Sequence, residues 1–288
     1  MRRLFLLTLA GIFLIVFAGG TDAYARRGRR IRPHKAAAAA QVKKPYRVSA
    51  KAALVMEMDS GRRIYEKDIS RKVLPASTTK LLTAILVLEK LQLDDEVTIS
   101  PRAAEALPSK IYAVAGDKYR VRDLLYAALL NSANDAAVAL AEATAGSVEQ
   151  FVAMMNVRAA EIGAKTTLFA NPHGLPGDDP QYSTAYDMAL IFREAMKKPF
   201  FRDVIRQRYQ RIVSQNGKVM CLRSHNKCLF RGWKKDIYGK TGYTRAAQSC
   251  FVGYFEKDAK IFIIAVFGCQ KRWDDIKFLA EHYGGIDL

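Results

Sequence analysis

The sequence has few of the side chains from which metal sites are built. It contains four histidines and four cysteines in 288 residues, and no paired Cys-x-x-Cys occurs. Metal sites recruit such side chains at short, recurrent spacings. No such spacing connects the histidines, which are His34, His173, His225 and His282. We therefore expect neither a metal ion nor another cofactor.

Acidic residues are also scarce. The chain has 28 Asp and Glu against 46 Lys and Arg, a formal net charge of +18. Residues 26–47 alone contain nine Lys or Arg and no acid, around the alanine run Ala36–Ala40. This segment lacks the apolar periodicity of a folded element, so we expect a disordered basic arm. Two readings of the arm are open: it binds anionic lipid or a cell-wall polymer, or it is a solvated tether without a partner.

Only one apolar run approaches the length of a membrane span. It extends from Leu4 to Gly20, follows Arg2 and Arg3, and precedes the small-x-small sequence Ala23-Tyr24-Ala25. This order predicts a secretory signal peptide at residues 1–25. The alternative is an uncleaved anchor helix, since the run has the minimum length that spans a bilayer. Either way we expect an exported chain, periplasmic or otherwise extracytoplasmic, whose basic arm does not bind nucleic acid.

Export places the cysteines in an oxidising compartment, where cysteines pair. All of them lie in the C-terminal third, at Cys221, Cys228, Cys250 and Cys269. Four cysteines allow three connectivities, and the sequence does not choose among them. We expect structural disulfides, and proximity along the chain favours Cys221 with Cys228 and Cys250 with Cys269.

Residues 48–288 contain no repeat and no long low-complexity segment, so we expect one domain there, with a helical subdomain. Ala52–Met58 and Arg62–Tyr65 flank the turn Asp59-Ser60-Gly61 and predict a hairpin. Apolar residues at three-and-four spacing then predict helices at 78–91, 121–130, 134–145 and 147–162. The capping box Thr184-Ala185-Tyr186-Asp187 predicts another helix, through to Met196.

Strand patterns return in the last third of the chain. Two hairpins are predicted, one around Asn216-Gly217 and one around Lys257-Asp258. The strand at 260–267 is almost wholly apolar and is therefore expected at the centre of a sheet, and a helix at 273–283 ends the domain. Strands at both ends with helices between them predict an α+β fold, a mainly antiparallel sheet covered by helices.

The first motif that carries chemistry is the Ser-x-x-Lys of Ser77 and Lys80, at the start of a long helix. Residues i and i+3 lie on one face of a helix, so the hydroxyl and the amine can meet. A serine nucleophile needs an adjacent base, and a lysine is such a base only when burial or a nearby cation lowers its pKa. The pattern favours a nucleophile and its base, although a helix cap followed by a solvated lysine would show the same sequence pattern.

Two more motifs follow in order along the chain. Ser132-Ala133-Asn134 lies between two predicted helices, and Lys240-Thr241-Gly242 leads into a strand. Each alone also fits a structural turn or an edge-strand lysine. Ser-x-x-Lys, Ser-x-Asn and Lys-Thr-Gly in this order are typical of penicillin-binding proteins and class A β-lactamases. Together they predict a serine acyl-transfer enzyme.

From about residue 48 to residue 284 the sequence resembles the low-molecular-mass penicillin-binding proteins, which are serine-type D-alanyl-D-alanine carboxypeptidases of the peptidase S11 family. The likeness includes the three motifs and also Asp59–Gly61, Leu74–Ser77, Leu124–Ala137, Phe169–Leu175, Ser183–Ala189 and Arg272. It implies a β-lactamase/transpeptidase-like α/β fold with a five-stranded sheet, and residues 48–288 as the catalytic domain.

The resemblance also implies roles for the motif residues. Ser77 attacks the carbonyl between two D-alanines, and Lys80 accepts its proton. Ser132 helps to pass a proton to the departing nitrogen, and Asn134 holds Lys80 and the amide of the substrate. The implied product is a peptidoglycan stem peptide without its terminal D-alanine, and β-lactams, which imitate that terminus, would acylate Ser77.

The third motif would bind the substrate. The resemblance implies that Lys240 and Thr241 bind the terminal carboxylate and that Gly242 leaves room for the peptide. The backbone N–H groups of Ser77 and Tyr243 would form the oxyanion hole. Many carboxypeptidases of the family carry histidine where this chain has Tyr243, a difference that we expect to affect specificity more than catalysis.

Three other functions are weighed against the carboxypeptidase. A DD-endopeptidase would cut peptidoglycan cross-links with the same residues, and no feature of the sequence separates the two. A class A β-lactamase is disfavoured because residues 166–176 contain no acid to activate the deacylating water. A catalytically inactive wall-binding protein is disfavoured because no motif residue is missing.

Overall fold

The computed structural model describes residues 46–288. The predicted signal peptide, 1–25, and residues 26–45 of the predicted basic arm lie outside the described residues. Among residues 46–288, no helix combines the length and the apolar character that a membrane span requires.

The strands of the described segment are, in chain order, β1 (Ala52–Glu57), β2 (Arg63–Lys67), β3 (Glu96–Thr98), β4 (Lys118–Arg120), β5 (Tyr209–Val213), β6 (Val219–Arg223), β7 (Tyr238–Thr244), β8 (Gln248–Lys257) and β9 (Lys260–Cys269). Its α-helices are α1 (Lys80–Lys90), α2 (Pro101–Glu105), α3 (Val121–Leu130), α4 (Asn134–Ala145), α5 (Val148–Ile162), α6 (Ala185–Ala195), α7 (Pro199–Arg206) and α8 (Arg272–Phe278). Two 3₁₀ turns, Ala76–Thr79 and Lys227–Phe230, and a π-helical turn, Leu279–Tyr283, complete the elements.

The main sheet has five strands in the order β2-β1-β9-β8-β7, and every pair in it is antiparallel. Two of these strands come from the beginning of the domain and three from its end, so the predicted sheet built from both termini is confirmed. The apolar strand β9 lies at the centre, as predicted. The β8–β9 turn is Asp258-Ala259, one residue later than expected. Both residues have positive φ, which the favoured two-residue hairpin turn requires.

Both faces of the main sheet are buried, because successive apolar residues along a strand point to opposite faces of the sheet. In β1, Leu54 and Met56 belong to the large core shared with the helices, and Ala53 and Val55 belong to a smaller core. Helix α6 packs on β1 and β9, while α8 packs on β8 and β9, where Ile276 joins the smaller core. Burial of this kind contributes about 25 cal/mol per Å² of apolar surface.

The predicted helices at 121–130 and 134–145 are confirmed with identical bounds, as α3 and α4. Helices α5 and α6 begin after polar caps, because Ser147 accepts a hydrogen bond from Gln150 N–H and Thr184 accepts one from Asp187 N–H. The first predicted helix, 78–91, is divided into the 3₁₀ turn at 76–79 and helix α1.

The hairpin predicted around Asn216-Gly217 is confirmed, and it forms a separate two-stranded sheet of β5 and β6. The small β3–β4 sheet and the helices α2 and α7 had no counterpart among the predictions. They span three to eight residues each, which is too short for apolar periodicity to show.

The expected disulfides are absent from residues 46–288, where all four cysteines are free. Cys221 is exposed on the outer face of β6, whereas Cys228 is buried. Cys250 belongs to the core on the helical side of the sheet, whereas Cys269 belongs to the core on the opposite side. Proximity along the chain was therefore misleading, because the members of one expected pair differ in burial and those of the other belong to different cores.

Candidate active site

A cavity of about 430 Å³ lies where the 3₁₀ turn before α1, the connection from α3 to α4 and strand β7 meet. Five of the motif residues line it: Ser77, Ser132, Thr241, Gly242 and Tyr243. Lys80 and Lys240 each hydrogen-bond to a lining serine, and Asn134 hydrogen-bonds to Lys80. The structure thus brings all three motifs to one place.

Ser77 lies in the 3₁₀ turn that leads into α1, one turn before Lys80. The Oγ of Ser77 is 3.3 Å from the Nζ of Lys80. The preceding residue, Ala76, is buried and has a φ of 47°, a left-handed conformation that costs energy for any residue with a Cβ. Thr78 ties the turn by donating to the carbonyl of Pro75 at 2.7 Å. The strained turn presents the Ser77 hydroxyl to the cavity.

Lys80 is completely buried, without a carboxylate among its hydrogen-bond partners in the described structure. Its Nζ donates to the Oδ1 of Asn134 at 2.6 Å and to the backbone carbonyl of His173 at 3.1 Å. Burial, and after it the charge of Lys240, lowers the pKa of Lys80 well below its ordinary value. A neutral amine beside a serine hydroxyl is what a general base requires.

Lys240 is the second buried lysine of the site. Its Nζ donates to the Oγ of Ser132 at 2.8 Å and to the carbonyl of Thr241 at 3.0 Å. Burial lowers the pKa of Lys240 to about 7, and the charge of Arg272 contributes. Ser132 has a φ of 61°, so the backbone turns sharply between α3 and α4 and places its hydroxyl beside Lys240.

Asn134 connects the base to the opposite wall of the cavity. While its Oδ1 accepts from Lys80, its Nδ2 donates to the carbonyl of Leu107 at 2.7 Å. Its backbone N–H donates to the carbonyl of Ser109, also at 2.7 Å. The side chain is almost fully buried, so its orientation is fixed by these partners.

The next residue, Asp135, holds the wall itself. Its buried carboxylate accepts hydrogen bonds from the backbone N–H groups of Ile111, Ala113 and Ala136. Charge-assisted bonds of this kind are about twice as strong as neutral ones. The start of α4 thereby fixes both Lys80 and the loop at 107–113.

Two glycines allow the elements to approach this closely. A Cβ at Gly242 would lie 3.1 Å from the backbone nitrogen of Ser77, which means that β7 passes directly beside that N–H group. A Cβ at Gly174 would overlap the backbone carbonyl of Ala76, and Gly174 also has positive φ. Only glycine fits either position without displacing the nucleophile.

Arg272 lies in the cavity wall. In the sequence, only the family resemblance indicated this residue. Its guanidinium donates to the carbonyls of Gly242 at 3.0 Å and Cys250 at 2.9 Å. These bonds fix the arginine against β7 at Gly242 and against the neighbouring strand β8 at Cys250. No motif predicts it, because the residue begins α8 and reaches the cavity from behind the sheet.

The remaining groups complete the electrostatics of the site. Burial lowers the pKa of His173 to about 3, so the imidazole is neutral, and it accepts a hydrogen bond from the N–H of Leu175. Tyr243 is 63 % exposed at the mouth of the cavity. Within residues 46–288, no three side chains of the metal-ligating types converge at one point.

The sequence of the chain is similar to those of known proteins. The family profile described as peptidase S11, D-alanyl-D-alanine carboxypeptidase, matches residues 37–271. The chain is 33 % identical to the D-alanyl-D-alanine carboxypeptidase DacF of Bacillus subtilis, over 94 % of this chain and 67 % of that protein. It is 34 % identical to DacB2 of Mycobacterium tuberculosis, over 79 % of this chain and 80 % of that protein.

The fold is equally similar to solved structures. A crystal structure of D-alanyl-D-alanine carboxypeptidase from Mycobacterium tuberculosis superposes with a TM-score of 0.78 and 32 % sequence identity. The superposition covers 84 % of this chain and 93 % of that one. On sequence and on fold, the chain belongs to the D-alanyl-D-alanine carboxypeptidase family, peptidase S11.

Proposed function

We propose that this chain is an exported serine-type carboxypeptidase that removes the terminal D-alanine from peptidoglycan stem peptides through an acyl-enzyme on Ser77. One observation carries the proposal: a fully buried lysine amine, with its pKa lowered, lies 3.3 Å from the serine oxygen. The membership of the family supplies the substrate class.

Acylation begins when the Oγ of Ser77 attacks the carbonyl carbon of the penultimate D-alanine. Lys80 takes the hydroxyl proton as the bond forms. The negative charge on the substrate oxygen is stabilised by the N–H groups of Ser77 and Tyr243, since Gly242 lets β7 run beside the nucleophile. Ser132 then relays a proton to the departing nitrogen, because its hydroxyl lies next to Lys240.

The terminal carboxylate is recognised along β7, between Lys240 and Gly242. Three groups with suitable chemistry meet there: the ammonium of Lys240, the hydroxyl of Thr241 and the guanidinium of Arg272. Arginine pairs with carboxylates through a fixed fork of donors, which orients the substrate as well as attracting it.

Deacylation by water completes the cycle and releases the shortened peptide. The segment 166–176 offers no carboxylate to activate that water, and the carbonyl of His173 in this segment binds Lys80 instead. A β-lactam that acylates Ser77 is therefore expected to leave slowly, which makes the enzyme a target of these drugs and not a β-lactamase.

Export and wall attachment belong to the same proposal. The order of charge, apolar run and cleavage site in residues 1–25 supports secretion to the periplasm or cell exterior. Residues 26–47, with nine positive charges and no acid, suit an anionic lipid or wall polymer.

The decisive experiment is labelling with fluorescent penicillin, followed by release of D-alanine from a pentapeptide. Wild-type protein should label covalently and release D-alanine, whereas Ser77→Ala should do neither. Ser70→Ala, at an exposed serine away from the cavity, is the matched control and should behave as wild type. Folded wild-type protein that fails to label would contradict the proposal.

A further inference from the structure

One wall of the active-site cavity carries positive charge that the removal of D-alanine does not use. Besides Arg272, the cavity is lined by Arg223, at the end of β6, and Lys227, in the following 3₁₀ turn. None of the residues that line it is an Asp or a Glu. A single D-alanine has one carboxylate, and in the proposed function Lys240, Thr241 and Arg272 already bind it.

The two additional cations lie on the side of the cavity where the leaving group departs. The N–H of His225 donates to the carbonyl of Leu130, directly before the Ser132 turn. The Nδ2 of Asn226 donates to the carbonyl of Ile237, directly before β7 begins. The segment with Arg223 and Lys227 is therefore attached beside Ser132 and the Lys240 end of β7. Since Ser132 is the residue proposed to pass a proton to the departing nitrogen, this segment borders the leaving-group side of the cavity.

Both residues are exposed, but the guanidinium of Arg223 and the backbone of Lys227 are held in place. The guanidinium of Arg223 lies over the ring of Phe230, 4.7 Å from its centroid, and that ring packs edge-on against Tyr209. The backbone of Lys227 is fixed by Asn226, whose side chain is buried and accepts from the N–H of Cys228. Neither position belongs to a free loop.

Both cations also lack an acidic partner. Within residues 46–288, the ion pairs include neither Arg223 nor Lys227. Arg208, at the start of the same hairpin, differs from these two cations because it is neutralised by Asp236 at 2.9 Å. Unpaired cations in a cavity attract anionic ligands.

We propose that Arg223 and Lys227 form an anion subsite for a leaving group that continues beyond its first carboxylate, as the acidic second peptide of a cross-link does. The inference rests on the proposed function, since it concerns the same acyl-enzyme. In this reaction the amide bond between D-alanine and the amine of the second peptide is broken. The D-alanine carbonyl carbon bonds first to Ser77 and then to water oxygen, and the amine leaves with a proton.

The test uses three synthetic peptides with one acyl part and a terminal D-alanine, D-glutamate or D-glutamine after the penultimate D-alanine. The last two have the same shape and differ in charge. We expect wild-type kcat/KM to be about tenfold higher for D-glutamate than for D-glutamine, the scale of one charge-assisted contact. In Arg223→Gln/Lys227→Gln this preference should vanish, while release of D-alanine stays within about twofold.

Arg211→Gln/Lys235→Gln is the matched control, because it removes two exposed positive charges that do not line the cavity. It should keep the preference for D-glutamate. Cross-linked peptide dimers provide the natural substrate: wild type should split them, and Arg223→Gln/Lys227→Gln should do so about tenfold more slowly.

Three results would overturn the inference: equal rates on D-glutamate and D-glutamine in wild type, dimers left intact by wild type, or an Arg223→Gln/Lys227→Gln variant as fast as wild type on dimers. If wild-type protein neither releases D-alanine nor labels with penicillin, the proposed function itself is wrong. Failure of the anion subsite and failure of the proposed function are therefore distinguishable.

Discussion

Two buried lysines do opposite work in one cavity because their surroundings differ. Lys80 is bonded to an amide, a carbonyl and the nucleophile, and the nearby charge of Lys240 further disfavours its protonation. Lys240 has a pKa of about 7, with Arg272 as the neighbouring cation. In the proposed mechanism the lowered pKa of Lys80 keeps a neutral amine beside Ser77, while a protonated Lys240 attracts the carboxylate.

This difference predicts the pH dependence of D-alanine release. In the proposed mechanism, activity requires neutral Lys80 and protonated Lys240. Since the pKa of Lys240 in the free enzyme is about 7, kcat/KM should fall as the pH rises above that value, and it should also fall in acid, where Lys80 becomes protonated. Arginine stays protonated throughout, so Lys240→Arg should shift the alkaline limb upward by more than about one pH unit.

The measurement is kcat/KM from about pH 5 to about pH 10 for both proteins. The Lys240→Arg protein can be slower at every pH, because the guanidinium of arginine does not match the geometry of the lysine ammonium. The pH at which the alkaline limb falls does not depend on this overall loss of rate. An alkaline limb that stays in place would show that Lys240 does not cause it.

At the scale of elements, the site depends on the ends of secondary structures and not on their middles. Ser77 precedes α1, Ser132 and Asn134 lie where α3 ends and α4 begins, and the third motif lies in the edge strand β7. Periodicity predicted α3 and α4 correctly because both are long and apolar. It missed the 3₁₀ turn at Ser77, because four residues carry no period.

Gly242 tests the contact between two of these elements. In Gly242→Ala the new Cβ would lie 3.1 Å from Ser77 N, Pro75 O and Ala76 Cβ, so β7 or the 3₁₀ turn must move by a few tenths of an ångström. We expect kcat/KM for D-alanine release to fall about tenfold to a hundredfold, because small displacements of reacting groups have large effects on rate. The loss of stability should be only about 1–3 kcal/mol.

Gly177→Ala is the control, since its Cβ would have no atom within 4 Å and its φ is not positive. Steady-state kinetics and chemical denaturation of both variants separate the two effects. If Gly242→Ala keeps full activity, the approach of β7 to Ser77 is not what positions the nucleophile.

At the scale of the whole molecule, the sheet brings together residues that are far apart in the chain. Strands from residues 52–67 and from residues 238–269 form one sheet, and the helices between them cover it. The nucleophile at 77 and the carboxylate site at 240 can meet only when this closure is complete. Assembly of the active site therefore depends on the pairing of strands from both ends of the described segment.

All four cysteines of the described residues are free thiols, which gives a prediction for the whole protein. Protein isolated without reductant should contain four thiols when titrated with a chromogenic disulfide reagent in denaturant. Without denaturant only Cys221 should react quickly, because Cys228, Cys250 and Cys269 are buried and burial raises the pKa of their thiols. Cys221→Ser should remove the fast phase, and two thiols or fewer in denaturant would establish a disulfide instead.

The sequence by itself determined the chemistry and most of the elements. Motif order predicted the three segments that meet at the cavity, and periodicity predicted the long helices and the central strand, because both are local properties of the chain. Only the tertiary structure decided which side chains share a surface. It placed Cys250 and Cys269 in different cores, brought Arg272 to the cavity from behind the sheet, and placed Arg223 and Lys227 in its wall. Such contacts depend on how strands and helices pack, and neighbours in sequence carry no record of that packing.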